Sequence, residues 1–234
     1  RRVKLPHSLE RLKTTPDNLK LLSSEQTPLS LVVLISGRGS NLQAILDAIS
    51  EEGLPARVEA VISNVPDAQG LLRAKKAGIP TAVKDHRKWP QRELYDQQLI
   101  KVIDHYAPGL VVLAGFMRIL TPQFVAHYSG RLINIHPSLL PAYRGLNTHA
   151  RVLEAGETHH GASVHFVTAE LDSGPVIHQD SLAINQEETA ATLQHRIHRL
   201  EHKIYPQAIR WLAEGRVELV EGKVVVDHRP TANT

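Results

Sequence analysis

Two short runs of this sequence are apolar at almost every position, and they restrict the possible folds more than any other feature. They are residues 31–36 (LVVLIS) and 109–115 (GLVVLAG). A strand with one face in water alternates apolar and polar residues, whereas a strand covered on both faces reads as a continuous apolar run. Both runs therefore predict central strands of a sheet that is covered by other elements on both faces.

Strand and helix patterns alternate around these two runs. Further strands are predicted at residues 57–63, 80–84 and 131–136, and helices after residue 41 and at 69–77, 90–105 and 121–128. Strands that alternate with helices are typical of α/β proteins with a parallel sheet. The sequence therefore predicts a Rossmann-like, mostly parallel sheet with helices on both faces.

Two of the predicted helices carry more detailed signals. The helix at 121–128 is expected to begin with Thr121 as its N-cap and Pro122 at its first position, where proline is favoured. The helix at 90–105 is expected to turn four apolar side chains inward. These are Leu94, Leu99, Val102 and Ile103.

The pattern changes after residue 141. Residues 137–160 read as a polar loop with a helix near 148–155, followed by two strands at 162–171 and 175–184. A long helix is predicted at about 187–211, with Pro206 expected to kink or interrupt it. A terminal hairpin is predicted around Glu221-Gly222. The sequence therefore predicts that extra C-terminal strands and a long helix follow the Rossmann-like part of the chain.

The distribution of charge and the composition argue against two classes of binding partner, nucleic acids and membranes. Residues 1–28 hold six Lys or Arg and three Asp or Glu, so the net charge of +3 resides there and the remainder is neutral. A nucleic-acid-binding domain would carry a basic stripe on its folded part, so no nucleic acid is expected. No apolar run approaches the roughly 18 residues of a membrane span, and no membrane is expected.

The composition also predicts how the chain divides into domains and in which cellular compartment the protein is found. Residues 1–28 are expected to form a poorly ordered N-terminal extension and residues 29–234 a single domain. The absence of cysteine excludes disulfides and thiolate-bound metal and is consistent with a cytoplasmic location.

A glycine turn follows the first buried strand, in the sequence SGRGSN at 36–41. Glycines permit a tight turn, and the free N–H groups of the following helix can bind an anion. Ser40 and Asn41 are also good N-cap residues, so a simple strand-to-helix turn is the alternative. The turn lacks a third glycine, because position 42 is Leu, and it lacks the lysine of a P-loop.

Asn134 and His136 lie two residues apart at the end of the strand at 131–136. Side chains two apart on a strand share a face, and in open α/β sheets ligands bind at the carboxyl ends of the strands. An amide and an imidazole side by side can stabilise a developing oxyanion. The alternative is a histidine that only caps the turn before Pro137.

Asp172 lies in the turn sequence LDSGP between the two predicted C-terminal strands. Aspartate in such a turn commonly bonds its own backbone. Its carboxylate could instead reach a neighbouring histidine, which spacing alone does not decide.

Several segments between residues 31 and 227 resemble the folate-dependent formyltransferases. The run NIHPSLLP is shared by enzymes that use formyl-folate, and GLNTH and EHKIYP narrow the resemblance to the glycinamide ribonucleotide (GAR) transformylase branch. The resemblance implies that residues 29–234 form a formyltransferase domain. It also implies the activity of transferring the formyl group of 10-formyltetrahydrofolate, as co-substrate, to the amine of GAR in purine biosynthesis. No metal is implied, and the enzyme would be a monomer or a homodimer.

The resemblance also implies roles for particular residues. Asn134 and His136 would stabilise the oxyanion, while Asp172 would position His136 for proton transfer. Gly39, Ser40 and Asn41 would hold the substrate phosphate, and Glu201 would contact the ribose. The folate side would comprise Arg92, Met117, Arg118, Ile119, Leu120, Thr168, Ala169, Glu170 and Leu171.

Four rival functions remain open from the sequence, one of which is a non-enzymatic binding protein of the same fold. His198, Glu201 and His202 satisfy the H-x-x-E-H pattern of some zinc hydrolases, although no third ligand is evident. Methionyl-tRNA formyltransferase would be expected to carry a further C-terminal β-domain. Formyltetrahydrofolate hydrolase would be expected to carry a regulatory domain in front of the catalytic one.

Overall fold

The structure is a computed structural model that describes residues 27–228. Most of the predicted N-terminal extension, and the last six residues of the predicted domain, lie outside this range. The strands are β1 (Leu29–Ile35), β2 (Ala56–Ser63), β3 (Thr81–Val83), β4 (Leu110–Leu113), β5 (Leu132–His136), β6 (His159–Phe166), β7 (Val176–Ala183), β8 (Val217–Val220) and β9 (Lys223–Val226). The α-helices are α1 (Ser40–Glu51), α2 (Gly70–Lys76), α3 (Arg92–His105), α4 (Pro122–His127), α5 (Thr148–Glu154) and α6 (Ala190–Ala213), and a short 3-10 helix covers His86–Lys88.

Seven strands form one sheet in the order β3-β2-β1-β4-β5-β6-β7. The first five strands in this order are parallel to their neighbours. β6 and β7 are antiparallel additions on the β5 side. The predicted α/β fold with a mostly parallel, Rossmann-like sheet is therefore confirmed.

Apolar side chains cover the sheet on both faces. On one face, alternate residues of β1 such as Leu31 and Val33 pack with α1, α2 and α6. On the other face, Val32 and Leu34 pack with α3 and α4. The last five residues of β1, from Leu31 to Ile35, are all 0% exposed, which explains their continuous apolar pattern.

The inward face of α3 differs from the prediction at one position. Leu99 and Ile103 are buried, but Leu94 is 41% exposed, and Tyr95 and Asp96 are buried in its place. The helix begins at Arg92, and the spacing of four residues from Tyr95 to Leu99 to Ile103 defines its buried stripe. Asp96 is accommodated because its carboxylate accepts a hydrogen bond from the Thr121 N–H at 2.8 Å.

The start of α4 agrees with the prediction. The Thr121 side chain accepts a hydrogen bond from the Phe124 N–H, and Pro122 occupies the first helical position. Because the N-cap of α4 also donates its own N–H to Asp96 in α3, the two helices are held together on one face of the sheet.

β6 is shifted towards the N-terminus relative to the predicted strand at 162–171. Its antiparallel pairing with β7 runs from His159 opposite Ala183 to His165 opposite Val176. Residues 167–175 form the connection to β7 rather than a continuation of the strand. The apolar residues of that connection gave a strand pattern, and Val167 still donates its N–H to the Leu132 carbonyl of β5, but the pairing with β7 has already ended.

The long helix α6 continues through Pro206, so the predicted interruption is wrong, whereas the alternative of a kink stays a prediction. Pro206 has no N–H to donate to the preceding turn. Its ring is buried in the core, where packing offsets the missing hydrogen bond. The terminal hairpin is confirmed, with Glu221 and Gly222 both at positive φ in the turn between β8 and β9.

Within residues 27–228, no helix combines the length and the apolar character needed to cross a membrane.

Candidate active site

The strand order leads us to expect a ligand crevice beyond the carboxyl ends of β1 and β4. These two strands are neighbours, but the chain leaves them in opposite directions across the sheet, and such a switch point is where ligands bind in α/β folds. Ser36 joins the loops on the two sides. Its N–H donates to the Gly115 carbonyl, and its hydroxyl accepts from the Met117 N–H and donates to the Asn64 amide oxygen.

The glycine turn lies on one side of this crevice. Gly39 has a φ of +73° and precedes α1, whose N-terminus receives no side-chain cap. The first N–H groups of a helix have no partner inside the helix, so here they are available to an anion. Gly39 also meets α2 closely, because a Cβ at this position would lie 2.6 Å from the Gly70 Cα.

Asn41 and Glu201 are brought together although 160 residues separate them. The Asn41 amide donates to the Glu201 carboxylate at 3.4 Å, and the Asn41 Oδ1 is buried without a hydrogen-bond partner within residues 27–228. Burial raises the pKa of Glu201 to about 7, and the Asn41 hydrogen bond only partly opposes this. Two residues predicted to bind substrate thus share one site beside the glycine turn.

Asn134 and His136 lie on the same face of β5, as predicted. Asn134 is opposite His165 of β6, and His136 is opposite Ser163. The His136 Nε2 lies 2.9 Å from the Tyr143 carbonyl, which can only accept, so this nitrogen carries a hydrogen. The Nδ1 atom is therefore the ring nitrogen left to face other groups.

Asp172 reaches His136. Its Oδ2 lies 3.4 Å from the His136 Nδ1, and both side chains are 8% exposed. The same oxygen accepts a hydrogen bond from the Gly145 N–H at 2.9 Å. The aspartate of the LDSGP turn is thus a partner of the histidine and of the loop that follows β5.

His165 is a site residue that the sequence reasoning missed. It is 2% exposed, its Nδ1 donates to the Phe166 carbonyl at 2.9 Å, and its Nε2 has no hydrogen-bond partner among the described residues. Burial lowers the pKa of His165, which favours a neutral ring whose Nε2 can accept a hydrogen bond. The available signal was its spacing in β6, where positions 163 and 165 share a face.

An exposed apolar wall lies on the β4 side of the crevice. Met117 is 76% and Ile119 61% exposed, whereas Leu120 is 9% exposed and belongs to the core. Arg92, at the start of α3, donates to the Ile119 carbonyl. The Arg118 guanidinium lies over the Tyr95 ring at 4.6 Å. Of the residues predicted for folate, Leu120 is therefore placed as a packing residue.

The loop at 168–171 lies near the loop that follows β5. Glu170 forms an ion pair with Arg144 at 3.0 Å, and its carboxylate also accepts from the Ser173 hydroxyl. Thr168, Ala169 and Leu171 are exposed. This second stretch of predicted folate residues thus borders the turn that carries Asp172.

The H-x-x-E-H motif, the basis of the zinc alternative, lies on one helix. His198, Glu201 and His202 lie on α6, but no group of three or more potential ligands suited to a metal ion occurs within residues 27–228. The Glu201 carboxylate is instead hydrogen-bonded to Asn41.

The site thus combines an uncapped helix start, a buried carboxyl group, an amide beside a histidine–carboxylate pair, and an exposed apolar wall. Helix N-termini attract anions, and an amide with an imidazole can stabilise an oxyanion. Together, fold and site define an α/β enzyme of the Rossmann-like class.

Comparison with known proteins gives the family. The formyl transferase family model matches residues 29–209. The chain is 52% identical over 199 residues to phosphoribosylglycinamide formyltransferase of Escherichia coli (strain K12), covering 85% of this chain and 94% of that protein. This chain therefore belongs to the formyl transferase family, in its phosphoribosylglycinamide formyltransferase branch.

Solved structures agree with this placement. The phosphoribosylglycinamide formyltransferase of Coxiella burnetii is similar with a TM-score of 0.82 and 56% identity, over 88% of this chain and 96% of that one. A formyltetrahydrofolate deformylase from Burkholderia mallei is similar with a TM-score of 0.80 and 25% identity, over 87% of this chain and 72% of that one. The fold is therefore shared by proteins named as formyltransferase and as deformylase.

Proposed function

We propose that this chain transfers the formyl group of 10-formyltetrahydrofolate to the amine of GAR. The observation that carries the proposal is the contact of Asp172 with His136, on the face of β5 that also presents Asn134. The branch of the family to which the chain belongs supports the choice of acceptor. A nearby helix start suits a phosphate, and an exposed apolar wall suits a folate ring system.

Asn134, His136 and Asp172 would assist two steps of the reaction, the formation of the new C–N bond and the cleavage of the old one. The GAR amine attacks the formyl carbon, and the electron pair of the C=O bond moves to the oxygen. Asn134 would donate to that oxyanion from its amide. His136 would donate from Nδ1, the nitrogen that also faces Asp172, when its ring carries both protons, because its Nε2–H is held by the Tyr143 carbonyl. Such donors each typically contribute about 10²–10³ in rate.

Asp172 would then serve the second half of the reaction. The C–N bond to folate N10 breaks as the oxyanion collapses, and a proton passes from the former amine to N10. The Asp172 carboxylate orients the His136 ring through the 3.4 Å contact and stabilises its charged form in the transition state. Gly145 fixes the carboxylate in turn through its N–H.

GAR would bind across the start of α1. The N–H groups at Gly39, Ser40 and Asn41 would contact the phosphate, and Glu201 would contact the ribose hydroxyls. A carboxyl group is suited to that contact, since it accepts hydrogen bonds in either protonation state.

The folate would bind on the other side of the crevice. Met117 and Ile119 provide exposed apolar surface, and Arg92 and Arg118 provide positive charge for carboxylates of the ligand. Thr168, Ala169, Glu170 and Leu171 would close the pocket from the β6–β7 connection. Leu120 would support this wall from the core.

A formyl-transfer assay with three acceptors tests the proposal. The enzyme is given 10-formyltetrahydrofolate with GAR, with initiator tRNA, or with water alone, and the release of tetrahydrofolate is followed. We expect fast transfer to GAR and little turnover with the other two. Fast hydrolysis without transfer to GAR would instead identify a formyltetrahydrofolate hydrolase.

The zinc alternative needs a separate test. We expect the purified protein to transfer formyl groups at an unchanged rate after dialysis against a chelator. Stoichiometric zinc together with loss of activity on chelation would revive a role for His198, Glu201 and His202 as a metal site.

A further inference from the structure

Helix α2 lies directly against the glycine turn at the start of α1. The Gly70 N–H donates to the Gly37 carbonyl at 2.9 Å. A Cβ on Gly70 would lie 3.1 Å from the Gly39 Cα and 2.5 Å from Cδ1 of Ile35. The two backbones are therefore in contact, and a side chain one turn further along α2 can reach over the glycine turn.

Arg73 is that side chain. Its Nε donates to the Arg38 carbonyl at 2.8 Å, and its Nη1 donates to the Gln43 side-chain oxygen at 3.3 Å. Gln43 lies in the first turn of α1 and is itself fixed by Asp47 at 2.8 Å. One guanidinium group therefore links the loop before α1 with the helix itself.

Both hydrogen-bond acceptors of Arg73 are neutral oxygens, and within residues 27–228 it forms no ion pair, although Asp47, Glu51 and Glu52 line the groove that it faces. Arg73 and Ser40 line the same open groove of about 740 Å³ between α1, α2 and α6. The charge thus lies in solvent-accessible space beside the N-terminus of α1, where the helix dipole already favours an anion.

We propose that Arg73 is a positioning residue for the phosphate end of the substrate site. It holds the Arg38 carbonyl away from the site, so that the N–H groups that follow face the ligand, and it adds an unpaired positive charge beside them. This inference rests on the proposed function, since it assumes that the substrate carries a phosphate. Hydrogen bonds from a guanidinium are strong and directional, so lysine would replace only the charge.

The kinetic test compares Arg73→Met, Arg73→Lys and the control Lys76→Met, which removes a charge from an exposed position on the same helix. We expect Arg73→Met to raise KM for GAR about 10-fold or more. Its kcat and its KM for 10-formyltetrahydrofolate should stay within about 2-fold, as for any charge outside the reacting centre. Arg73→Lys should be intermediate and Lys76→Met unchanged. An equal rise in both KM values would show a merely structural role.

A binding measurement separates this inference from the proposed activity. Ribose 5-phosphate is titrated into the wild type and into Arg73→Met by calorimetry, with no formyl transfer involved. Binding by the wild type that weakens about 10-fold in the variant supports the role of Arg73 even if GAR is not the acceptor. Equal binding by both proteins, or no wild-type binding at millimolar concentration, overturns it. Failure of the acceptor assay alone contradicts only the proposed function.

Discussion

Asp172 adopts a left-handed backbone conformation, with a φ of 49°. Few residues other than glycine tolerate this region, and aspartate and asparagine are the usual exceptions. The conformation turns the chain sharply after the loop at 168–171 and directs the carboxylate towards His136 and the Gly145 N–H. Aspartate therefore suits this position for two reasons. It tolerates the left-handed backbone, and its carboxylate carries the negative charge that faces His136.

The charge can be removed without disturbing the backbone. Asp172→Asn retains a side chain that tolerates positive φ and can still accept from Gly145, but it loses the negative charge beside His136. We expect kcat to fall by about 10²–10⁴ while both KM values change little. Steady-state kinetics with both substrates provide the measurement.

The matched control for this change is Asp180→Asn, on the outer strand β7, which should leave kcat unchanged. Near-normal turnover of Asp172→Asn would remove Asp172 from the mechanism and leave it a turn residue.

Glu201 offers a pH-dependent prediction. Its pKa is raised by burial from 4.5 to about 7, so the native state holds its proton more tightly than the unfolded state. The stability associated with the protonated form is fully present below pH 4.5 and is lost as the pH rises through 7. Because one pKa unit corresponds to 1.36 kcal/mol, the loss is at most about 3 kcal/mol.

Glu201→Gln mimics the protonated carboxyl group and removes this dependence. We expect the free energy of unfolding of the wild type, measured in urea, to fall relative to that of the variant between about pH 5 and pH 8. Glu93→Gln, at an exposed position of α3, is the control and should follow the wild type. Parallel curves for the wild type and Glu201→Gln would falsify the assignment.

For single residues, the sequence predicted a contact or a shared face only where the two residues lie close together in the chain. Asn134 and His136 could be placed on one face because two residues on one strand have a known geometry. The contact of Asp172 with His136 spans 36 residues and that of Asn41 with Glu201 spans 160, and neither follows from any local pattern. His165 was missed because its one signal, a shared face with Ser163 on β6, does not show that β6 pairs with β5 and sets His165 opposite Asn134.

At the scale of the elements, the positions of the buried strands were predicted well. The end of a strand and the limits of a helix's buried face were predicted poorly. β1 and β4 are apolar throughout because both of their faces are covered, and their positions follow directly from that pattern. The end of β6 was misplaced because a strand end depends on where its partner stops pairing. Leu94 was wrongly predicted to be buried because apolar side chains also flank the buried stripe of α3, which runs through Tyr95, Leu99 and Ile103.

Helix α6 depends on one buried hydroxyl for part of its attachment to the sheet. The Tyr205 side chain is 0% exposed and donates to the Leu113 carbonyl at 2.6 Å, close to the Ile133 carbonyl at 3.4 Å. Tyr205→Phe leaves a buried acceptor without its donor. We expect the free energy of unfolding to fall by about 1–3 kcal/mol, measured by urea denaturation.

Tyr106→Phe, in a partly buried tyrosine at the end of α3, is the corresponding control and should stay within about 0.5 kcal/mol of the wild type. A Tyr205→Phe variant as stable as the wild type would mean that the two carbonyls are satisfied by other groups.

For the molecule as a whole, the site lies where two cores meet at one edge of a single sheet. One core includes α1 and α6, which carry Asn41 and Glu201, and the other includes α3, which carries Arg92. A ligand that spans the crevice therefore contacts elements from both faces. Its binding should stabilise the folded chain as one unit.

Both substrates should accordingly raise the midpoint of thermal unfolding. At a ligand concentration of 100 times Kd, the native state gains about 2.7 kcal/mol. Asp172→Asn should show shifts close to those of the wild type, because the change affects turnover and not binding. Differential scanning fluorimetry with GAR or with 10-formyltetrahydrofolate measures the shift.

Glycine, which lacks the ribose and the phosphate, is the control ligand and should leave the midpoint unchanged. A shift with 10-formyltetrahydrofolate alone and none with GAR would contradict the proposed acceptor.

The three hydrogen bonds of Ser36 have a mechanical consequence for this crevice. They connect the loop after β1 with the loop after β4 and with Asn64 after β2, so these three neighbouring strand ends form one frame. These hydrogen bonds therefore oppose a separation of the loops on the two sides of the crevice.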